Sequence, residues 1–195
     1  DLTTFSLYQV ETVTFPSGAK LGFENSPNDN LCLNCHQGRE STVSVNRAIA
    51  GLDADTPSDK LTFRNIHYFA AGATLFGSEA QGVYQYAGKQ YVGKFEHIPN
   101  YQACSDCHDA HKLTVEVGAC RACHQVEDVT QIRLEDPKVD YDGDGDVNEG
   151  IKGEIDTLTE ILYQAIRAYG KEVAGTPIAY SPTAYPYFFV DTNED

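Results

Sequence analysis

One five-residue pattern, Cys-x-x-Cys-His, constrains this chain more than any other feature. It occurs three times, as Cys32, Cys35 and His36, as Cys104, Cys107 and His108, and as Cys120, Cys123 and His124. These copies use all 6 cysteines. Two thiols at this spacing add across the two vinyl groups of a haem, and the adjoining imidazole becomes an axial ligand of its iron. Six cysteines can also serve three disulfides or a zinc site. Zinc normally takes Cys-x-x-Cys units in pairs, or one unit with a distant histidine pair, and three units leave one over. Neither alternative needs a histidine after every second cysteine. The pattern is read as three haem c attachment sites.

The histidine count then sets the ligation. The chain has 6 histidines and no methionine. His36, His108 and His124 belong to the motifs, which leaves His67, His97 and His111 for three irons. Three bis-histidine haems are the simplest solution, with those three as distal ligands. His111 stands too close to His108 in sequence to reach the opposite face of the same haem, so it is expected to serve a neighbour. Irons with both axial positions filled pass electrons and leave no open position for a substrate. An electron-transfer protein is expected, not an enzyme. The competing readings are a monomeric periplasmic or extracellular shuttle, and a multihaem reductase in which one histidine is diverted and one haem stays open.

Between Cys107 and Cys120 lie twelve residues, so the second and third haems are expected to be near neighbours. The first motif is 72 positions before the second, and the place of its haem depends on the fold.

Beyond 126 the character changes. The stretch Asp140, Asp142, Asp144, Gly145 and Asp146 matches the opening of a calcium loop, with carboxylates at alternate positions and glycine at the sharp turn. The usual bidentate glutamate at position twelve is replaced by Ile151. Glu149, or Glu154 in the following helix, is the available substitute. Aspartates so placed would repel strongly without a cation. The expected calcium ligands are Asp140, Asp142, Asp144, Asp146 and Glu149.

The expected fold is mostly irregular and α-helical with a few short β-strands around a haem core. Residues 1–126 form the trihaem part. Residues 127–195 hold the calcium loop, an amphipathic helix and an aromatic extended tail, packed on the core or on a neighbouring subunit. Alternating Phe5, Leu7, Val13 and Phe15 predict a strand, with a turn at Pro16, Ser17 and Gly18. A helix is expected after Ser41 as its cap, and another within the apolar stretch 61–76 up to Gly77. Residues 83–92 read as a hairpin turning at Gly88. Residues 151–169 carry the clearest helical period, closed by Gly170.

Apolar residues make up 41% of the chain, and its formal net charge is -15. The protein core is therefore thin, and haems would supply much of the missing apolar bulk. The acidity argues against nucleic acid and anionic membrane surfaces as partners. No apolar run reaches the roughly 18 residues of a membrane span. Haem c attachment implies export, so the chain as written is expected to be a mature form, located outside the cytoplasm: extracellular, at the cell surface, or periplasmic.

The chain resembles multihaem c-type cytochromes from the outer surface of metal-respiring microbes. The likeness rests on 32–125: Cys35-His36-Gln37-Gly38-Arg39, then Asn65-Ile66-His67-Tyr68-Phe69-Ala70-Ala71-Gly72-Ala73, then the paired motifs with His111 between them. Some proteins of this broad type polymerise into extracellular filaments with a continuous haem chain. The resemblance implies electron transport, with copies of this chain or other multihaem cytochromes as partners and an external terminal acceptor.

Overall fold

The computed structural model describes residues 8–67, 69–134 and 137–192. The chain divides into two units, Asp1–Leu52 with Lys60–Thr114 and Asp53–Asp59 with Val115–Asp195. Among the described residues no helix is long and apolar enough to cross a membrane.

The first unit opens with a short antiparallel hairpin, β1 (Val13–Thr14) and β2 (Lys20–Leu21), in the register Val13 to Leu21. The expected turn lies between them: Gly18 adopts φ 94°, and its N–H donates to the Phe15 carbonyl at 2.8 Å. The strand reading for 1–15 is met only at its end, and Phe5 and Leu7 lie outside the described residues. Val13 and Phe15 point inward and start the core.

Helix α1 (Asn30–His36) follows a 3₁₀ turn at Pro27–Asp29. Its first residue, Asn30, is fully buried and satisfied on both sides. The amide donates to the Val10 and Glu11 carbonyls at 2.9 Å, and its oxygen accepts the Phe23 N–H at 2.7 Å. Asn30 thereby fastens the hairpin to the helix that carries the first motif. Helix α2 (Thr42–Ile49) starts as predicted at Ser41, whose hydroxyl accepts the Ser44 N–H while Ser44 Oγ accepts the Ser41 N–H.

Helix α3 spans only Ala71–Phe76. Among the described residues of 61–70 the expected helix is absent, because Asn65 Oδ1 accepts the His67 N–H at 2.8 Å and so supplies a local alternative to the helical ladder. His67 and Phe69 take φ 76° and 55°, which a helix does not admit. Gly77 does end α3, at φ 51°. The hairpin read in 83–92 is a turn at Gly88 without strands, in which Lys89 N–H donates to the Tyr86 carbonyl at 3.1 Å. Val13, Phe15, Phe23, Leu33, Ala73, Phe76 and Ala80 make the buried apolar cluster, with Phe76 in edge contact with Phe15 at 5.8 Å between ring centres. The short strands β3 (His108–Asp109) and β4 (Thr114–Val115) pair around a tight turn.

The second unit contains α4 (Val117–His124), the acidic loop, α5 (Ile151–Glu172), and the antiparallel strands β5 (Ile178–Tyr180) and β6 (Phe188–Val190). Gly170 does not close α5. It is buried, and Ile178 side-chain atoms lie 2.9 Å from where a Cβ would be, so the missing side chain seats β5 against the helix. Arg167 faces Asp191 at 3.6 Å, and the Tyr163 hydroxyl accepts the Tyr180 N–H at 3.2 Å. The aromatic tail thus packs on α5. This unit buries Arg133, Glu154 and Asp191, yet no large apolar side chain among its described residues is buried. Ile155, Leu158, Ile161 and Leu162 of α5 are all exposed.

Candidate haem and cation sites

The first motif occupies the end of α1. Leu33 points into the core at 0% exposure, which turns Cys35 outward and leaves Cys32 half-buried. His36 sits in the last turn, and its Nδ1 lies 2.6 Å from the Phe69 carbonyl. A carbonyl only accepts, so this contact places the proton on Nδ1 and leaves the Nε2 lone pair for a metal. The irregular backbone at Phe69 aims that carbonyl, and Gly72 lets α3 approach closely: a Cβ there would meet Leu33 Cδ2 at 2.7 Å and the His36 carbonyl at 3.0 Å.

The second motif starts in a 3₁₀ turn, Cys104–Asp106, whose Asp106 carboxylate accepts the Gln102 and Ala103 N–H groups at 2.9 and 2.8 Å. His108 is exposed in β3, and His111 is exposed in the following turn. Asp109 shapes that turn by accepting the His111 and Lys112 N–H groups on one oxygen at 2.9 Å. Those bonds hold the Asp109 carboxyl below its ordinary range, first through Lys112. The third motif ends α4, which stops where Gln125 turns left-handed at φ 53°.

Within the first unit the structure brings the first and second motifs into contact. The thiols of Cys32 and Cys104 come together with the Asp29 carboxylate, all within 4.8 Å. Burial pushes the Cys104 thiol up to about 12, helped by Cys32 and Asp29. Two thiols and one carboxylate fall short of the four protein ligands that a structural zinc site takes. Asp29 is 3% exposed and works as a clasp: its two oxygens accept the Ser105 N–H at 2.8 Å and the Ser105 hydroxyl at 2.9 Å, and Ser26 Oγ also donates to it. Nothing in the local sequence marks Asp29, because its partner is 76 residues away. Asp29→Ala would leave the Ser105 donors without this acceptor. Urea unfolding of the haem-loaded protein is expected to give a loss of about 1–3 kcal/mol, with faster amide exchange at 103–107.

Of the three remaining histidines, His67 is half-buried at a left-handed position, while His97 and His111 are exposed. His97 lies edge-on to Tyr101, ring centres 6.1 Å apart. No group of three or more ligand-type side chains among the described residues includes a histidine.

The acidic loop gathers into two overlapping sets, Asp140 with Asp142 and Glu154, and Asp142 with Asp144 and Glu149. Asp146 joins neither; its oxygen accepts the Asn148 N–H at 2.8 Å. Asp140 accepts the N–H groups of Gly143 and Gly145, and the Gly143 bond foremost lowers its carboxyl pKa. Glu149 shifts the other way, raised by desolvation and then by Asp142, Asp144, Glu154 and Asp146. Glu154 reaches in from the first turn of α5, where its Oε2 accepts the Tyr141 and Asp142 N–H groups at 2.7 and 3.0 Å. Arg133 lies 3.6 Å from Glu154 Oε1 and donates to the Glu149 and Val139 carbonyls at 2.8 and 2.7 Å.

These features are the parts that haem c attachment needs: thiol pairs beside a histidine at three places, one of them with its imidazole already oriented. The residues fit the group. All six cysteines are free thiols, and exposed apolar side chains, including Phe69, Val83, Val92 and Phe95 in the first unit and the α5 stripe in the second, are plentiful for so few buried ones. A haem is a flat apolar body of the kind such surfaces would cover. The chain is similar to multihaem c-type cytochromes of a metal-respiring bacterium. In an alignment 202 positions long that takes in 93% of the chain, it is 29% identical to the C-type polyheme cytochrome OmcB of Geobacter sulfurreducens. In one 185 positions long that takes in 84% of the chain, it is likewise 29% identical to the C-type polyheme cytochrome OmcC of that species. The chain spans about a quarter of the length of these relatives, 24% of OmcB and 21% of OmcC. No family model and no solved structure matches it.

Proposed function

We propose that this chain transfers electrons through three covalently attached haem c groups, each held by two histidines, and that it does so outside the cytoplasm as a subunit of an electron-conducting filament. Cys32 with Cys35, Cys104 with Cys107, and Cys120 with Cys123 hold the haems, and His36, His108 and His124 are the proximal ligands. His67, His97 and His111 are the distal ligands. The haem irons, when bound, supply one-electron redox chemistry. The polypeptide's part is to fix their positions, orient the imidazoles and exclude water. It turns over no substrate. Calcium in the acidic loop is a structural cofactor of the second unit.

The observation that carries this reading is the triple motif matched by three further histidines and no methionine, in a chain similar to polyhaem cytochromes over nearly all its length. The oriented His36 ring supports histidine ligation. The filament part draws on the exposed apolar residues of β6, Phe188, Phe189 and Val190, on a two-stranded sheet whose outer edge suits strand addition. Neighbouring copies or other multihaem cytochromes are the electron partners, with an external terminal acceptor.

The test is the purified haem-loaded protein. Mass spectrometry is expected to find three haems per chain, and electron paramagnetic resonance of the oxidised protein only low-spin signals. A high-spin signal with rapid cyanide binding would assign an open haem and favour the reductase. Negative-stain microscopy and light scattering address the filament: a uniform small monomer at high concentration would leave the shuttle.

A further inference from the structure

The calcium loop lacks its usual closing ligand, because Ile151 stands where a bidentate glutamate normally sits. The structure supplies a carboxylate from elsewhere. Glu154 is on α5, one residue short of a helical turn beyond Ile151, and its side chain is turned into the loop at 1% exposure. Its Oε2 is bonded to two backbone N–H groups of the loop; its Oε1 has the Arg133 guanidinium 3.6 Å away but accepts no hydrogen bond. Two more solvent-inaccessible oxygens of the neighbouring carboxylates, Asp142 Oδ2 and Glu149 Oε1, likewise accept none. Buried polar atoms normally find partners, and an anionic oxygen without one is the costliest exception. Three such oxygens in two overlapping carboxylate sets ask for a hard cation.

We propose that Asp140, Asp142, Asp144, Glu149 and Glu154 form one calcium site, closed by Glu154 from the helix, and that the Asp146 side chain takes no part in it. This rests on the reading of the acidic loop as a calcium loop and names its ligands. Asp146 occupies the seventh position, where loops of this type offer a backbone carbonyl, and its own carboxylate is turned to the Asn148 N–H. Five carboxylates and one nearby guanidinium leave a strong negative excess for a divalent ion to offset. Gly153 makes room for the arrangement: a Cβ there would run into the Glu149 carboxylate. Closure by Glu154 also has a structural consequence. It ties the loop to the start of α5, where Ile151 N–H donates to the Ile132 carbonyl at 2.9 Å, so the cation would order 137–154 and hold them to Ile132.

Isothermal titration of the haem-loaded protein with calcium chloride, after removal of divalent ions by chelator, tests the assignment. One equivalent is expected to bind. Glu154→Gln and Glu149→Gln are each expected to weaken binding about tenfold or more, since affinity follows ligand charge. Asp146→Asn is expected to stay within about twofold, because no ligand is lost. Far-ultraviolet circular dichroism of each variant without calcium separates lost ligands from a lost helix, and Glu149→Gln keeps the test open if Glu154→Gln does not fold. No calcium uptake at millimolar concentration would overturn both the site and the calcium reading. Uptake that Glu154→Gln leaves unchanged, or that Asp146→Asn abolishes, would overturn the ligand set and leave the calcium reading standing.

Discussion

Arg133→Met is expected to remove about 3–5 kcal/mol from the unfolding free energy of calcium-free protein, because it strands a buried carboxylate. Arg133 and Glu154 have side chains only 5% and 1% exposed, with 3.6 Å between Nη1 and Oε1. At that distance, with little water to screen, the guanidinium is the fixed positive charge facing a group of acids. Methionine fills similar volume but supplies no charge and no donors. The Glu149 and Val139 carbonyls would also lose their 2.8 and 2.7 Å bonds, and with them the strap across the loop. Urea denaturation followed by the helical signal of α5 measures the loss. Calcium should reverse part of it, since a cation among the same carboxylates takes over the charge that arginine supplied, and ligand binding to the native state stabilises by mass action. A loss below about 1 kcal/mol in chelator would place this pair with surface ion pairs, whose contributions are of that size.

The acidic loop also shows what the sequence makes legible. Alternate aspartates and a glycine form a local pattern, and the structure gathers three of those aspartates with Glu149 and Glu154 into two overlapping sets. Asp146 fits the pattern in sequence but not in space, because side-chain direction in a tight loop depends on each backbone turn. Glu154 was visible only as one of two substitutes, and Arg133 was not visible at all, since its partners are 6 to 21 residues away. The same division runs through the first unit. Ser41 announced α2 because a cap acts within three residues. The apolar period of 61–76 suggested more helix than forms, since it carried no information about the Asn65 bond that turns the backbone aside. Gly170 resembles a helix stop, but a glycine inside a helix costs only about 1 kcal/mol, which the contact with Ile178 offsets. The motif cysteines and histidines stand out in sequence because their spacing is local and repeated. The contact between the first and second motifs is not legible, because the clasp at Asp29 spans 76 residues.

Leu33→Ala is expected to cost about 2–5 kcal/mol, a large share of what seven buried apolar residues can supply. Leu33 lies between Cys32 and Asn34 in the helix that carries the first motif and is 0% exposed. Its δ-carbon packs on the backbone of Gly72, which carries no side chain able to move into the space it would vacate. A cavity walled by helix backbone collapses poorly, which places the cost in the upper part of that range. The contact can be isolated by a second change. Gly72→Ala alone puts a methyl 2.7 Å from Leu33 Cδ2 and should cost about 1–3 kcal/mol by overpacking. In the double variant the methyl enters space that leucine has left, so the two losses should fall short of their sum by about 0.5–3 kcal/mol. Denaturant unfolding of the four proteins gives that coupling directly. Strict additivity would mean that α1 and α3 do not meet through this pair. The His36 ring should report the same contact, because the Phe69 carbonyl that orients it lies just before α3. Displacing α3 in Gly72→Ala is expected to weaken that bond and shift the low-spin signal of the first haem, while the double variant returns it toward that of the unaltered protein.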